Sequence, residues 1–240
     1  MIDMGKIEFV STIEGLEKID ECRPKPAKHF IPKWFKNIPN IGSMPGIPED
    51  TVKHCPSFTD YFSLGYILPM WADSILSYDD SKDCWNYRST TIGHWEIHGN
   101  DQFLNYVDSY FNGVKGNFVF KAISPWRIIT PPGWSVLQLP LFYHFNQEWS
   151  VLPGVIDTDI HHVINQQILY HGNGKEIRIA KGDPLVLYVP FKRKDTLDLD
   201  VRFQNKKDQK NFNQKDLNFK TVLFTKGTYR KMQRERDKNG

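Results

Sequence analysis

The chain has 240 residues, 40% hydrophobic and 14% aromatic, and a formal net charge of +3 from 31 basic and 28 acidic side chains. That is enough apolar chain to bury a sizeable core, which excludes general disorder. Cys22, Cys55 and Cys84 are odd in number, far apart and form no CxxC pair, so they suggest neither a disulfide framework nor a thiolate zinc site and point to a reducing compartment.

No apolar run reaches the roughly 18 to 20 residues of a membrane span. The start, MIDMGKIEFV, lacks the basic-then-apolar order of a signal peptide, so the expectation is a chain that stays where it is made and meets no membrane. Charge is distributed unevenly. From Lys192 onward there are 15 Lys and Arg against 7 Asp and Glu, leaving the rest near −5. A tail such as TKGTYRKMQRERDKNG can hold anions, nucleic acid included, although charge runs more often form solvated faces.

In chain order, Ile7–Val10 reads as a strand and EGLEKIDEC as a loop or short helix. Residues 23 to 48 carry Pro24, Pro26, Pro32, Pro39, Pro45 and Pro48, which exclude a long helix. Phe30, Ile31, Trp34 and Phe35 make this stretch too apolar for a free linker, so it is expected to lie on its own subunit or a neighbour. Thr51–Leu64 reads as a short helix with Pro56 in its first turn and Gly65 as its stop. From Tyr66 to Phe120 the runs YILPM, ILSY, WNYRSTTIGHWEI and NFVF predict strands, interrupted by the turn DDSKD and by one helix near Asp101–Val107. After Leu197 the spacing predicts a strand at FKTVLF and a polar terminal helix. The expected domains are an arm over 1–48, a β domain over 49–194 and a basic extension over 195–240.

Residues 123 to 191 are the most informative. Pro131-Pro132-Gly133 sets a turn. Gly154-Val155-Ile156 starts a buried strand that delivers Asp157 at its end, and His171-Gly172-Asn173-Gly174 and Lys181-Gly182-Asp183 read as hairpin turns. Strand alternation would place Asp157, Asp159 and His161 on one face, with His162 on the other and His144 and His171 near in sequence. These side chains invite a metal reading, but no H-x-D spacing of iron oxygenases is present, and no metal site is assigned. HExxH, GxxxxGK[ST], GxGxxG and GxSxG are all missing. The seven Trp side chains could stack bases, yet they form no RNP-like motif, and a β core or an interface is their commoner use.

Ile129-Thr130-Pro131-Pro132-Gly133-Trp134, Gly154-Val155-Ile156-Asp157-Thr158-Asp159 and Lys181-Gly182-Asp183-Pro184-Leu185-Val186 resemble, in order, three blocks of the trimeric dUTPase and dCTP deaminase superfamily. Ser63-Leu64-Gly65-Tyr66-Ile67-Leu68 is a weaker echo of a fourth. The resemblance implies a mainly β fold of the dUTPase-like β-clip or distorted β-barrel type, with a few short helices, the Pro-rich arm and the basic extension. It implies Asp157 as the catalytic position and Gly133, Trp134, Gly154, Ile156, Asp159 and His161 as ligand-binding positions. It also departs from the family. Pro140-Leu141-Phe142-Tyr143-His144-Phe145 lacks the family's phosphate-binding Arg and Ser, Ile67 stands where the family has Asp, and Ile160-His161-His162 replaces a Tyr-Arg-Gly. The glycine-rich C-terminal arm is absent. One carboxylate supplies about 10² to 10⁴ in rate as a base, and the rest must come from stabilising charge.

The expectation is therefore a non-hydrolytic binding module for a small ligand, a nucleotide among them, or for a partner protein. A divergent nucleotide hydrolase or deaminase and a virion structural or assembly protein remain as alternatives. No cofactor is expected, with Mg²⁺ only if a nucleotide is bound, and the partner expected is the chain itself as a homotrimer. IPKWFKNIP, TVKHCPSFTDYFSLGYILPM, SPWRIITPPGWS, GVIDTD and KGDPLVLYVPFKR, over most of residues 30 to 194, also resemble a tailed-bacteriophage family of unknown function, which implies the host-cell cytoplasm, or the virion, and assigns no reaction.

Overall fold

The computed structural model describes residues 5–44, 47–79, 81–82, 84–90, 94–99, 102, 106, 119–171, 176–195 and 197–221. Its strands are β1 (Glu8–Ser11), β2 (Lys25–Pro26), β3 (Ile41–Met44), β4 (Ile47–Asp50), β5 (Tyr66–Pro69), β6 (Ser74–Asp79), β7 (Cys84–Ser89), β8 (His94–His98), β9 (Val119–Ile123), β10 (Trp126–Ile129), β11 (Trp134–Leu139), β12 (Trp149–Val151), β13 (Gly154–Ile156), β14 (Gln166–Tyr170), β15 (Ile177–Ile179) and β16 (Pro184–Lys192). The helices are α1 (Lys33–Asn37), α2 (Pro56–Tyr61) and α3 (Lys206–Thr221). This is the mainly β class that the alternating apolar runs and turn residues dictate.

The chain divides into two compact units, Met1–Ile38 with Phe62–Asp195, and Pro39–Tyr61 with Thr196–Gly240. In the first unit the strands pair antiparallel in the orders β13-β11-β16-β5-β2, β12-β14-β9-β8, β15-β6-β7 and β1-β10. β16 lies between β11 and β5, and its Leu185–Tyr188 run is buried throughout, as expected of a strand covered on both faces. One core joins these sheets, with Trp71, Trp126, Phe120, Tyr170 and Tyr188 its largest buried side chains. Trp85 meets Phe120 and Tyr170 edge-on at 4.8 Å each, the arrangement that ring quadrupoles favour.

Gly65 ends the Thr51–Leu64 stretch with φ +64°, and a Cβ there would stand 2.2 Å from the carbonyl oxygen of Tyr188. The close approach of β5 to β16 therefore requires glycine at this position. From the Pro-rich stretch, α1 lies on its own chain. Trp34 Nε1 donates to the Tyr143 carbonyl at 2.7 Å, and Phe35 is buried 4.7 Å from the Phe62 ring.

In the second unit β3 pairs with β4, and α3 begins with a reciprocal cap. Asn205 Oδ1 accepts from the Lys207 and Asp208 amides, while an Asp208 carboxylate oxygen accepts from the Asn205 amide. Arg202 also pairs with Asp208, and its hydrogen bonds hold that carboxyl down to about 2.

Four local expectations are corrected. Phe219–Thr221 of the expected FKTVLF strand lies in α3, because the Asn205 cap starts a helix that runs through it. β13 is an edge strand with Val155 61% exposed rather than a buried one. Lys181-Gly182-Asp183 is a turn, with Gly182 at φ +87°, but it joins β15 of one sheet to β16 of another and so makes no hairpin. Asp157, Asp159 and His161 share no strand face, because β13 ends at Ile156. Residues 172–174 of the hairpin turn expected at His171–Gly174, most of Asp101–Val107 and the terminal polar helix lie outside the described residues.

Candidate functional site

After β13 the chain turns at once. The Asp157 carbonyl accepts from the Ile160 and His161 amides at 3.1 and 2.8 Å, which winds residues 157–161 into a turn. The buried Thr158 hydroxyl meets that of Thr130 at 2.7 Å, and His162 Nδ1 reaches the Thr158 carbonyl at 2.9 Å. The turn is thereby fixed beside the Pro131-Pro132-Gly133 corner, where Gly133 has φ +82°.

The two carboxylates face one guanidinium. Arg193 Nη1 and Nη2 donate to Asp159 Oδ1 and Oδ2 at 2.9 and 2.6 Å, a planar two-point match. Arg193 Nη1 also donates to Ser135 Oγ at 2.9 Å and the Trp134 carbonyl at 3.0 Å, and lies 3.3 Å from Asp157 Oδ1. Ser135 Oγ donates to that same oxygen at 2.6 Å, and the Gly133 amide donates to Asp159 at 2.8 Å. Bonding to Arg193 first, then to Gly133, holds the Asp159 carboxyl down to about 2. Asp159 is 7% exposed and Asp157 46%. Asp159 is thus a structural anion, whereas Asp157 faces outward with its remaining oxygen.

Asp157 opens onto a recess of about 390 Å³. Its walls include Gly154, Ile156 and His161, with Asn165, Gln167 and Gln138 supplying amides. Gln138 is held from behind, since its Nε2 donates to the Leu152 carbonyl at 2.9 Å and its Oε1 accepts from Tyr188 at 3.0 Å. Tyr188 in turn accepts from Gln166 Nε2 at 2.8 Å. Asn165 Oδ1 accepts from the Ser124 amide, and the side chains of Gln167 and His161 are unpartnered among the described residues. No Lys or Arg is among the described residues lining the recess.

Of the positions expected from sequence, Asp157, Gly154, Ile156 and His161 meet at this recess. Gly133, Trp134 and Asp159 gather instead around Arg193, with Lys192 Nζ 5.6 Å from the Trp134 ring centre. Arg193 and Ser135 are the residues that sequence reasoning missed. The signal available was register: Ser135 lies opposite Phe191, near the end of β16, which brings the following Arg193 to the start of β11. Among the described residues no three His, Cys, Asp or Glu side chains converge as for a metal ion. Trp149 and Phe142 line a second cleft rather than filling the recess. No described helix is long and apolar enough to cross a membrane.

No family model matches the sequence, and no curated protein does. Among solved structures the chain is similar to a mutant of the dUTPase from phage phi11 of Staphylococcus aureus, described with a structural Mg(II) ion. The TM-score is 0.36 and the identity 10%, over 84% of this chain and 99% of that one. A second structure of the phi11 dUTPase gives 0.36 and 9%, over 84% and 98%. A mutant of the dUTPase of Staphylococcus bacteriophage 80alpha gives 0.37 and 10%, over 83% and 99%.

Proposed function

We propose that the chain is a non-hydrolytic binding module whose recess beside Asp157 takes a small polar ligand of nucleoside type, with Asp157, His161, Asn165 and Gln167 as the reading groups. The observation that carries this is the engagement of Arg193. Its guanidinium, the one beside the carboxylates among the described residues, is committed to Asp159, Ser135 and a strand carbonyl, so it is not a free phosphate ligand. The described walls supply amides, an imidazole and a carboxylate, which suit hydroxyl and amide groups. A triphosphate carries several negative charges, and catalysis of its transfer rests on cations or metal placed around it. The Asp157 carboxylate opposes that charge, and neutral amides do not balance it.

Calorimetric titration with deoxyuridine and with dUTP tests the reading. Deoxyuridine is expected to bind at one site per chain, the triphosphate to add no affinity, and Asp157→Ala to weaken binding by about tenfold, the effect of one charged hydrogen bond. Pyrophosphate release from dUTP that disappears in Asp157→Ala would overturn it in favour of a hydrolase. Absence of heat with every nucleoside and sugar would leave a protein as the occupant.

A further inference from the structure

A second cleft, of about 810 Å³, lies in the first unit away from Asp157. Its rim carries two large apolar side chains in the open, Phe142 at 68% and Phe145 at 56% exposure. Phe142 stands edge-on to Tyr143 at 5.4 Å, and Phe145 is held more firmly. Phe145 sits in the left-handed region at φ 51°, ψ 37°, a conformation unusual for a bulky residue and found where surrounding contacts over-determine the backbone. Those contacts are present: the Phe145 ring lies 5.4 Å from Trp34 and 6.2 Å from Tyr143, and Trp34 is tied to the Tyr143 carbonyl. The turn therefore presents fixed aromatic faces.

The charged side chains lining the cleft are two carboxylates and one guanidinium, and only the guanidinium has an ion-pair partner among the described residues. Glu148 and Asp183 both line it, both are exposed, and neither meets a cation among the described residues. Arg178, the cation among the lining residues, is taken up by Glu176 at 2.6 Å. Burial pushes the imidazole of His144, also in the wall, below its ordinary value, so it brings no positive charge at neutral pH. An aromatic face attracts cations through its quadrupole, and carboxylates beside it add to that attraction even where one of them, Asp183, also accepts from the Ala180 amide.

We propose that this cleft is a binding site for an organic cation of the alkylammonium class, with the Phe142 and Phe145 rings meeting the cation and Glu148 and Asp183 balancing its charge. The site is separate from the recess beside Asp157 and does not depend on what that recess binds.

Calorimetric titration of the full chain with choline, and with its neutral isostere 3,3-dimethylbutanol, tests the proposal. Choline is expected to bind saturably at one site per chain, and the neutral alcohol at least about tenfold more weakly. Phe142→Ala and Glu148→Gln, both at exposed positions where the fold is not at stake, are each expected to weaken choline about threefold to tenfold, the range of one cation–π or exposed ionic contact. Failure of choline to bind overturns the proposal. So does equal binding of the alcohol, which would make the cleft merely apolar, and so does choline affinity unchanged in both variants.

Discussion

Arg193 and Asp159 meet fork to fork, with both guanidinium nitrogens on both carboxylate oxygens, and the pair joins the end of β16 to the turn after β13. The folded carboxyl titrates at about 2, against an ordinary value of 3.8, because Arg193 bonds its charged form. A folded value below the unfolded one contributes stability that is fully present above about pH 4 and lost as pH falls towards 2. Asp208, held down by Arg202, titrates in the same window. Asp159→Asn is therefore expected to lower Tm at pH 7 and to flatten, without abolishing, the fall in Tm between about pH 4 and 2. Parallel pH profiles for the two proteins would contradict this.

Tyr188 is fully buried, donates to Gln138 and accepts from Gln166. Tyr188→Phe leaves both amides short of a partner and is expected to cost about 1 to 3 kcal/mol in urea unfolding at pH 7. Burial pushes the hydroxyl's pKa well above 10.0, so the contribution of its neutral form is complete below pH 10 and lost above it. The variant should accordingly lose less stability than the parent on going above pH 10. A Phe variant as stable as the parent at pH 7 refutes the network's role.

Gly65→Ala combines a left-handed backbone with a Cβ driven to 2.2 Å from Tyr188, whereas Gly15, at φ +84°, has nothing within 4 Å. Both substitutions strain the backbone, by about 1 kcal/mol or more. Only the first also separates β5 from β16. Thermal melts should rank Gly65→Ala well below Gly15→Ala, and equal melting temperatures would show that the strands shift to make room.

Leu16, Cys22, Ala27 and Phe35 are all buried, so removing residues 1 to 48 strips core as well as arm. Losing one buried Leu side chain alone costs about 2 to 5 kcal/mol, against a total margin of about 5 to 15. The deletion is expected to aggregate. Assembly is expected too: Leu197, Leu199, Val201 and Phe203 alternate along a stretch without helix or strand at 84 to 97% exposure, a pattern that isolated chains rarely leave in water. We propose a homotrimer. Light scattering that returns 28.1 kDa, together with a soluble and cooperatively folding deletion, would overturn both expectations.

The fold class was legible because β-branched and aromatic runs alternate with turn residues, and Gly133, Gly65 and Gly182 each stand at positive φ as their turns require. What failed was local competition. A three-residue strand cannot carry Asp157, Asp159 and His161 along one face once the Asp157 carbonyl can close a turn on the following amides. The α3 start was missed although Asn205 and Asp208 stand at capping-box spacing, because the apolar residues of FKTVLF read as a strand in isolation. The partnership of Arg193 with Asp159 spans 34 residues and depends on register between β11 and β16, which a single sequence does not display.

The second unit draws its chain from two stretches, 39–61 and 196–240, with nearly all of the first unit's sheets encoded between them. During synthesis the early stretch emerges long before the late one exists. Contacts between segments so far apart in sequence form slowly, and domains assemble as their chain becomes available. The first unit's strands are therefore all translated before the stretch from residue 196 that the second unit shares with residues 39–61. A chain halted before residue 196 would carry the described strands of the first unit and leave the 39–61 segment without the stretch it shares a unit with.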